Sequence, residues 1–332
     1  MKKQLISTIL IICFLAGLTG CAGRENKTKI LRFGLEVAPD NGSAKIAEEI
    51  ADDVYKRTNG SVKIEVYPSG QLGTQRDYIE SAMLGIIDIG YTSLAGLENF
   101  EPGFVLYDIP FTISSSQQAQ KLWDSKYSKD IQKKLLDEKG IRMLCWLDMG
   151  PRNVYTTKEI RTAEDFSKLT MRLADVKGLI DLFDALDASP QVLAFSDIYT
   201  GMQTGVVNGF EIGLESTLSN NLQEVAKYCI ETSHSYTLDG FFMSEKSFQQ
   251  LTDEEQEIVL DAFDKGGQKQ IETFQNNLPK FKQQLANAGV ETITLSSEEM
   301  NKLFEKAEPA IKKSIDGIYD EFIVEEIRNM AN

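Results

Sequence analysis

From residue 30 onward, short apolar runs alternate with stretches of helical spacing. Residues 30–35 form a brief apolar run, and Asn41 and Ser43 follow as a helix start signal. Ile46, Ala47, Ile50, Ala51, Val54 and Tyr55 then recur at the spacing of one helix face, which Thr58-Asn59-Gly60 closes with a permissive glycine. Val62, Ile64 and Val66 alternate with polar residues as a half-buried strand does, and residues 74–77 open the next helix. Further strands are expected at 86–91, 143–147, 170–173, 191–194 and 206–212. This rhythm predicts an α/β architecture with largely parallel sheets. The last third differs. Residues 253–288 read as one very long helix with natural kink points at Gly266-Gly267 and Pro279, followed by a short strand at 291–295 and two amphipathic helices within 296–332.

The beginning of the chain has another pattern. Lys2 and Lys3 precede an apolar run of about 14 residues, short of the roughly 20 that span a bilayer. It ends in Leu18-Thr19-Gly20-Cys21, which resembles a bacterial lipobox. The expectation is a lipoprotein signal peptide over residues 1–20, lipidation of Cys21, and a polar tether over 21–29. Several acyl chains on one residue would hold the chain stably at a membrane surface without a spanning helix.

Composition narrows the function classes. A length of 332 residues suits roughly two domains, and the absence of a low-complexity linker suggests that the chain passes between them more than once. A formal charge of −15, about −17 once Lys2 and Lys3 are removed, argues against a nucleic-acid partner. A single histidine, His234, excludes sites that need two imidazoles, and with them most catalytic zinc centres. Gly-x-Ser-x-Gly, His-Glu-x-x-His, phosphate-loop and Cys-x-x-Cys signatures are absent. Cys13 would leave with the signal. Cys145 and Cys229 each lie in an apolar, strand-like run, as two separate buried thiols or as a disulfide, which sequence leaves open.

Several stretches in order carry a resemblance. Thr58-Asn59-Gly60 with Val62-Lys63-Ile64-Glu65-Val66-Tyr67-Pro68-Ser69-Gly70-Gln71-Leu72-Gly73 is the first, and Leu106-Tyr107-Asp108-Ile109-Pro110-Phe111 the second. Gly150-x-Arg152-Asn153 and Leu169-Thr170-Met171-Arg172-Leu173 follow, and residues 190–211 are the most specific, with Ala194-Phe195-Ser196-Asp197-Ile198-Tyr199 and Gln203-Thr204-Gly205-Val206-Val207-Asn208-Gly209. Together they resemble the DctP-type solute-binding proteins of tripartite ATP-independent periplasmic (TRAP) transporters.

The resemblance implies a two-lobed, periplasmic-binding-protein-like α/β fold with an interlobe ligand cleft and a long kinked helix spanning both lobes. One lobe would comprise residues 30–149 with about 236–265, the other 150–235 with about 266–332. It implies a receptor and no enzyme, without cofactor or metal, acting as a monomer. Its partners would be a small carboxylate, such as a sugar acid or other organic acid, and the small and large integral membrane subunits. The cell envelope, on the outer face of the cytoplasmic membrane or in a periplasm, is its expected location. Rival readings are a substrate-binding lipoprotein of another importer or sensor, and an exported hydrolase built around His234.

Arg172 would grip the ligand carboxylate with its planar fork, although Ala174 replaces the family's proline. Arg152, Glu211 and His234 would form a polar cluster near cleft and hinge in which the carboxylate raises the histidine's proton affinity; a hydrogen-bonded structural role for His234 is the alternative. Ile212 stands where the family carries a donating asparagine, making the wall more apolar. Glu36, Tyr91, Thr92, Ser93, Asp148 and Phe195 complete the expected ligand-binding set together with Arg152, Glu211 and Ile212. Glu36 would favour a hydroxyl-bearing or cationic ligand group, or is a solvated loop acid.

Overall fold

The computed structural model describes residues 28–331; the signal segment, Cys21 and the tether to residue 27 lie outside them. Helix ends follow local chemistry. Asn41 accepts from the Ser43 amide at 2.8 Å and opens the helix Gly42–Arg57, whose face at Ile46, Ala47, Ile50, Ala51 and Val54 is buried. Asn59 and Gly60 follow its end with φ of 51° and 80°. Thr74 and Asp77 form a reciprocal capping box on the helix Gln75–Leu84, which ends at left-handed Gly85.

Nine strands form one mixed sheet: β1 (Lys29–Gly34), β2 (Val62–Tyr67), β3 (Ile89–Ser93), β4 (Ile141–Thr156), β5 (Thr170–Leu173), β6 (Ser189–Val192), β7 (Gly209–Gly213), β8 (Tyr228–Ser244) and β9 (Glu291–Ile293). Their order is β2-β1-β3-β8-β4-β7-β5-β6, with β9 beside β8. The expectation of a largely parallel sheet holds only toward the two outer thirds. There β1 lies parallel to β2 and β3, and β5 parallel to β6 and β7. The centre is antiparallel: β4 and β8 run alongside each other from Ile141↔Ser244 to Thr156↔Tyr228. β3 pairs with the last part of β8, whereas β7 pairs with the last part of β4. The long strands are therefore shared, one half of each belonging to each lobe.

Three expected strands shift. Ile86 is exposed and β3 starts only at Ile89; β6 and β7 occupy 189–192 and 209–213. The 16 and 17 residues of β4 and β8 escaped the periodicity because their middles are polar: Asp148-Met149-Gly150-Pro151-Arg152 reads as a loop. The register does slip there, between Asp148 and Gly150 and between Arg152 and Val154, with Gly150 at φ 74°.

The helix Asp253–Asn287 is a single element of 35 residues, about 52 Å long, that packs on the helix Gly42–Arg57, on β4 and on the helix Leu214–Ser219. Gly266 and Gly267 do not interrupt it. A Cβ at Gly266 would meet Ile50 at 2.4 Å, and one at Gly267 would meet Cys145 at 2.9 Å and the Trp146 carbonyl at 3.1 Å, so these glycines let the helix lie against its neighbours. Each lobe has an aromatic centre: Phe33, Phe241 and Phe263 in one, Tyr155 stacked on Phe210 at 5.1 Å in the other. Cys145 and Cys229 are both free and buried. Cys145 pairs with Phe241, twelve residues from Cys229 along β8, about 40 Å away and far beyond disulfide reach.

Candidate functional site

A cleft of about 250 Å³ opens where the two halves of the sheet meet. Residues 36–108 form one flank, residues 172–216 the other, and the crossing strands its floor through Met149, Arg152, Thr237 and Asp239.

Arg172 occupies the middle of β5, between Gln191 of β6 and Phe210 of β7. It is 3% exposed, and its Nε donates to the Leu193 carbonyl at 3.0 Å. Among the described residues, neither of its terminal nitrogens has a hydrogen-bond partner. Burial lowers its pKa to about 10 despite the attraction of Glu211, so the guanidinium stays charged at neutral pH. A buried, charged guanidinium on a cleft wall with its terminal donors free among the described residues can receive an anion.

Arg152 also lines the cleft, but its charge is already matched. Its Nη2 donates to Glu211 Oε1 at 2.6 Å and to the Glu211 carbonyl at 3.0 Å, its Nε donates to Oε2, and its Nη1 donates to Thr237 Oγ1 at 3.1 Å. His234 Nε2 lies 3.3 Å from Glu211 Oε2, and its Nδ1 lies 2.7 Å from Thr232 Oγ1. The structure thus brings Arg152, Glu211 and His234 together from three strands. Burial pushes Glu211 up, but the Arg152 charge and the bonds from His234 and Arg152 outweigh it and hold the carboxylate at about 2. For His234 the expected direction reverses: burial lowers its proton affinity more than Glu211 raises it. A neutral ring suits the contacts, with Nε2–H donating to the carboxylate and Nδ1 accepting from Thr232.

Two expected cleft residues do not line it. Glu211 is fully buried behind Arg152, with both oxygens engaged. Asp148 accepts from the Gly150 amide at 2.9 Å, from Tyr236 at 3.1 Å and from Gln275 at 2.6 Å. Gln270 brackets its backbone with two bonds of 2.9 Å, so Asp148 fastens the β4 irregularity to the long helix. Burial keeps its pKa raised nonetheless.

Glu36, Tyr91, Thr92, Ser93, Phe195 and Ile212 all line the cleft. Gln75 organises this wall: its Oε1 accepts from the Ser93 amide at 2.9 Å and from Thr92 Oγ1 at 3.3 Å, while it also donates to Glu36. Burial raises Glu36, partly offset by Gln75 and Arg172. The sequence reading missed Asp239 and Asp108. Tyr91 donates to Asp239, whose pKa burial pushes up to about 7. Asp108 accepts from Ser235 at 3.1 Å; its other oxygen is buried without a partner among the described residues, and burial lifts it well above the carboxylate range. An acid inside the apolar run Leu238-Asp239-Gly240-Phe241-Phe242 was a legible signal for Asp239. Among the described residues there is no metal-binding group of acidic, histidine or cysteine side chains, and no helix long and apolar enough to cross a membrane.

Residues 33–317 match the family model of the bacterial extracellular solute-binding proteins, family 7 (DctP). The C4-dicarboxylate-binding periplasmic protein DctP of Rhodobacter capsulatus is 32% identical over 62% of each chain. A sugar acid binding protein of Advenella mimigardefordensis, solved in complex with galactonate, superposes with a TM-score of 0.86 at 26% identity, covering 92% of this chain and 98% of that one. A TRAP periplasmic solute binding protein of Sulfitobacter sp., solved with bound β-D-galacturonate, gives a TM-score of 0.84 at 28% identity, over 91% and 99%. With the family match over most of its length and a two-lobed fold around a cleft, this chain belongs to the DctP family of solute-binding proteins, which are receptors and not enzymes.

Proposed function

We propose that this protein captures a small carboxylate, such as a sugar acid or other organic acid, between its lobes and delivers it to the membrane subunits of a TRAP transporter. The observation that carries the reading is Arg172, a buried cation that lines the cleft and whose terminal nitrogens have no hydrogen-bond partner among the described residues. Arg152, neutralised by Glu211, contributes directional donors but little net charge. Thr92, Ser93 and the Thr237 hydroxyl offer hydrogen bonds along the remaining walls, and Phe195 and Ile212 supply apolar contact. The carboxylates named for the related proteins support the same ligand class.

Lobe closure follows from the connections. β4, β8 and the helix Asp253–Asn287 link the lobes, and the β4 register slips at Asp148–Gly150 between them. Hinge closure around ligand is the behaviour of periplasmic binding proteins. It expels water and strengthens the Arg172 contact. The small and large integral membrane subunits would receive the ligand from a monomeric receptor. Acyl chains on Cys21 would keep the receptor at the outer face of the membrane.

The test is a thermal-shift screen of sugar acids, keto acids, dicarboxylates and amino acids, followed by calorimetry of the best stabilisers. Binding of a carboxylate that Arg172→Ala weakens strongly is expected. A preferred ligand without an anionic group would overturn the reading.

A further inference from the structure

The cleft is bridged from flank to flank. β3 and β5 stand on opposite sides of the central strand pair, four strand spacings apart, about 19 Å in an even sheet. The segments that follow them nevertheless meet. After β3, the short helical turn Ala95–Asn99 reaches residues 174–177, which follow β5. Glu98 Oε1 accepts from the Lys177 amide at 2.6 Å, and Asn99 Nδ2 donates to the Asp175 carbonyl at 3.0 Å. Beside these bonds Ala95, Val176 and Leu179 pack as a small apolar cluster, and all three line the cleft. The Arg76–Asp175 pair, 3.7 Å apart and largely exposed, adds little.

Lys177 is the first residue of the helix Lys177–Ala185, whose own N-cap, Val176, has no side chain that can accept a hydrogen bond. The first amides of a helix need acceptors from outside it, and here the opposite flank supplies one. We propose that Glu98 is a latch: by capping the Lys177 amide across the cleft it holds the lobes closed, so that ligand release waits for this bond to break. The latch rests on the reading that the lobes close around a ligand, and it names a bond that holds the closed state. Neither Glu98 nor Lys177 is among the cleft-lining residues, so Glu98 is a positioning residue that does not touch the ligand. The bond needs an acceptor oxygen rather than a charge, and it can be removed from either side. Val176 is extended, at φ −128° and ψ 117°, as a residue before proline must be. Proline is also favoured at a first helical position, so Lys177→Pro deletes the donor and keeps the helix.

The test is a double-mutant cycle in the full chain, with galactonate as the probe. Hydrogen exchange at the Lys177 amide is measured with and without the probe, and probe release is followed by stopped flow. Exchange in Glu98→Ala should be faster than in wild type by about fivefold or more, the equivalent of one lost helix cap. Glu98→Gln keeps an acceptor oxygen and should stay close to wild type in both measurements. Galactonate release should quicken about fivefold in Glu98→Ala and in Lys177→Pro, and no further in the double variant. Additive effects in the double variant, release from Glu98→Gln as fast as from Glu98→Ala, or equal exchange in wild type and Glu98→Ala under both conditions overturns the latch and leaves the Arg172 reading intact. If wild type does not bind galactonate, the exchange comparison decides the latch alone, while the carboxylate screen decides the ligand class.

Discussion

Glu211→Gln removes one charge from the centre of the molecule and almost no volume, so its effect isolates the Arg152–Glu211–His234 network from packing. The magnitude follows by two routes. Glu211 titrates at about 2 against an ordinary 4.5, a difference that corresponds to about 3 kcal/mol of stability at neutral pH. Removing one partner from a buried ion pair costs about 3–5 kcal/mol, because Arg152 would keep a buried charge that Gln can only hydrogen-bond. Because the folded pKa is depressed, the contribution is complete above pH ~4.5 and fades as the pH falls toward 2. Urea unfolding of the ligand-free protein at pH 7, 4 and 3 is the assay. Glu211→Gln should be less stable by about 3 kcal/mol at pH 7, and the gap should narrow at each step down. A gap below about 1 kcal/mol at pH 7, or one that stays constant to pH 3, would refute the account of Glu211 as a buried, matched anion.

Other consequences are equally direct. Arg172→Ala should cost roughly 2–5 kcal/mol of ligand affinity with little change in ligand-free stability, read by calorimetry and thermal unfolding side by side. His234 has a lowered proton affinity in the fold, so the unfolded chain takes up its proton first as pH drops. Stability should therefore decline between pH ~7 and 5, and His234→Gln should flatten that segment of a Tm–pH profile. Gly267→Val should destabilise by about 1–3 kcal/mol in chemical denaturation, since Cys145 and the Trp146 carbonyl leave no room for a side chain. Cys145 and Cys229 should resist a thiol reagent in the native protein and react on unfolding, because both are buried and burial raises both thiols, Cys229 to about 12.

Local rules read the caps and short elements well. Asn41, Thr74 and Gly85 act through bonds or dihedrals within a few residues, and the helices they bound lie where the pattern placed them. β5 lies at Thr170–Leu173, where the pattern placed it, because it is short and bounded by local changes of pattern. The long strands were not. Their polar middles look like loops until the partner strand is known, and only pairing with β8 shows why β4 continues through Gly150 and Arg152. Gly266 and Gly267 have a role that local propensity does not show, since they admit Ile50 and Cys145 from other elements. In the site, Arg172 stood out by its position in a matching segment, and Asp239 by its apolar surroundings, but Asp108 acquired meaning only when separate segments converged on one cleft.

The chain by itself determined the α/β rhythm, the family, the carriers of charge and the absence of the common catalytic motifs, because these depend on residue identity and near-neighbour spacing. Tertiary structure decided the charge balance. Residues 36, 108, 172 and 239 are far apart in sequence, and whether a buried arginine meets an acid of its own or waits for a ligand depends on distance and dielectric. Arg152 and Arg172 are alike as sequence; Glu211 lies against one and leaves the other without an ion-pair partner among the described residues.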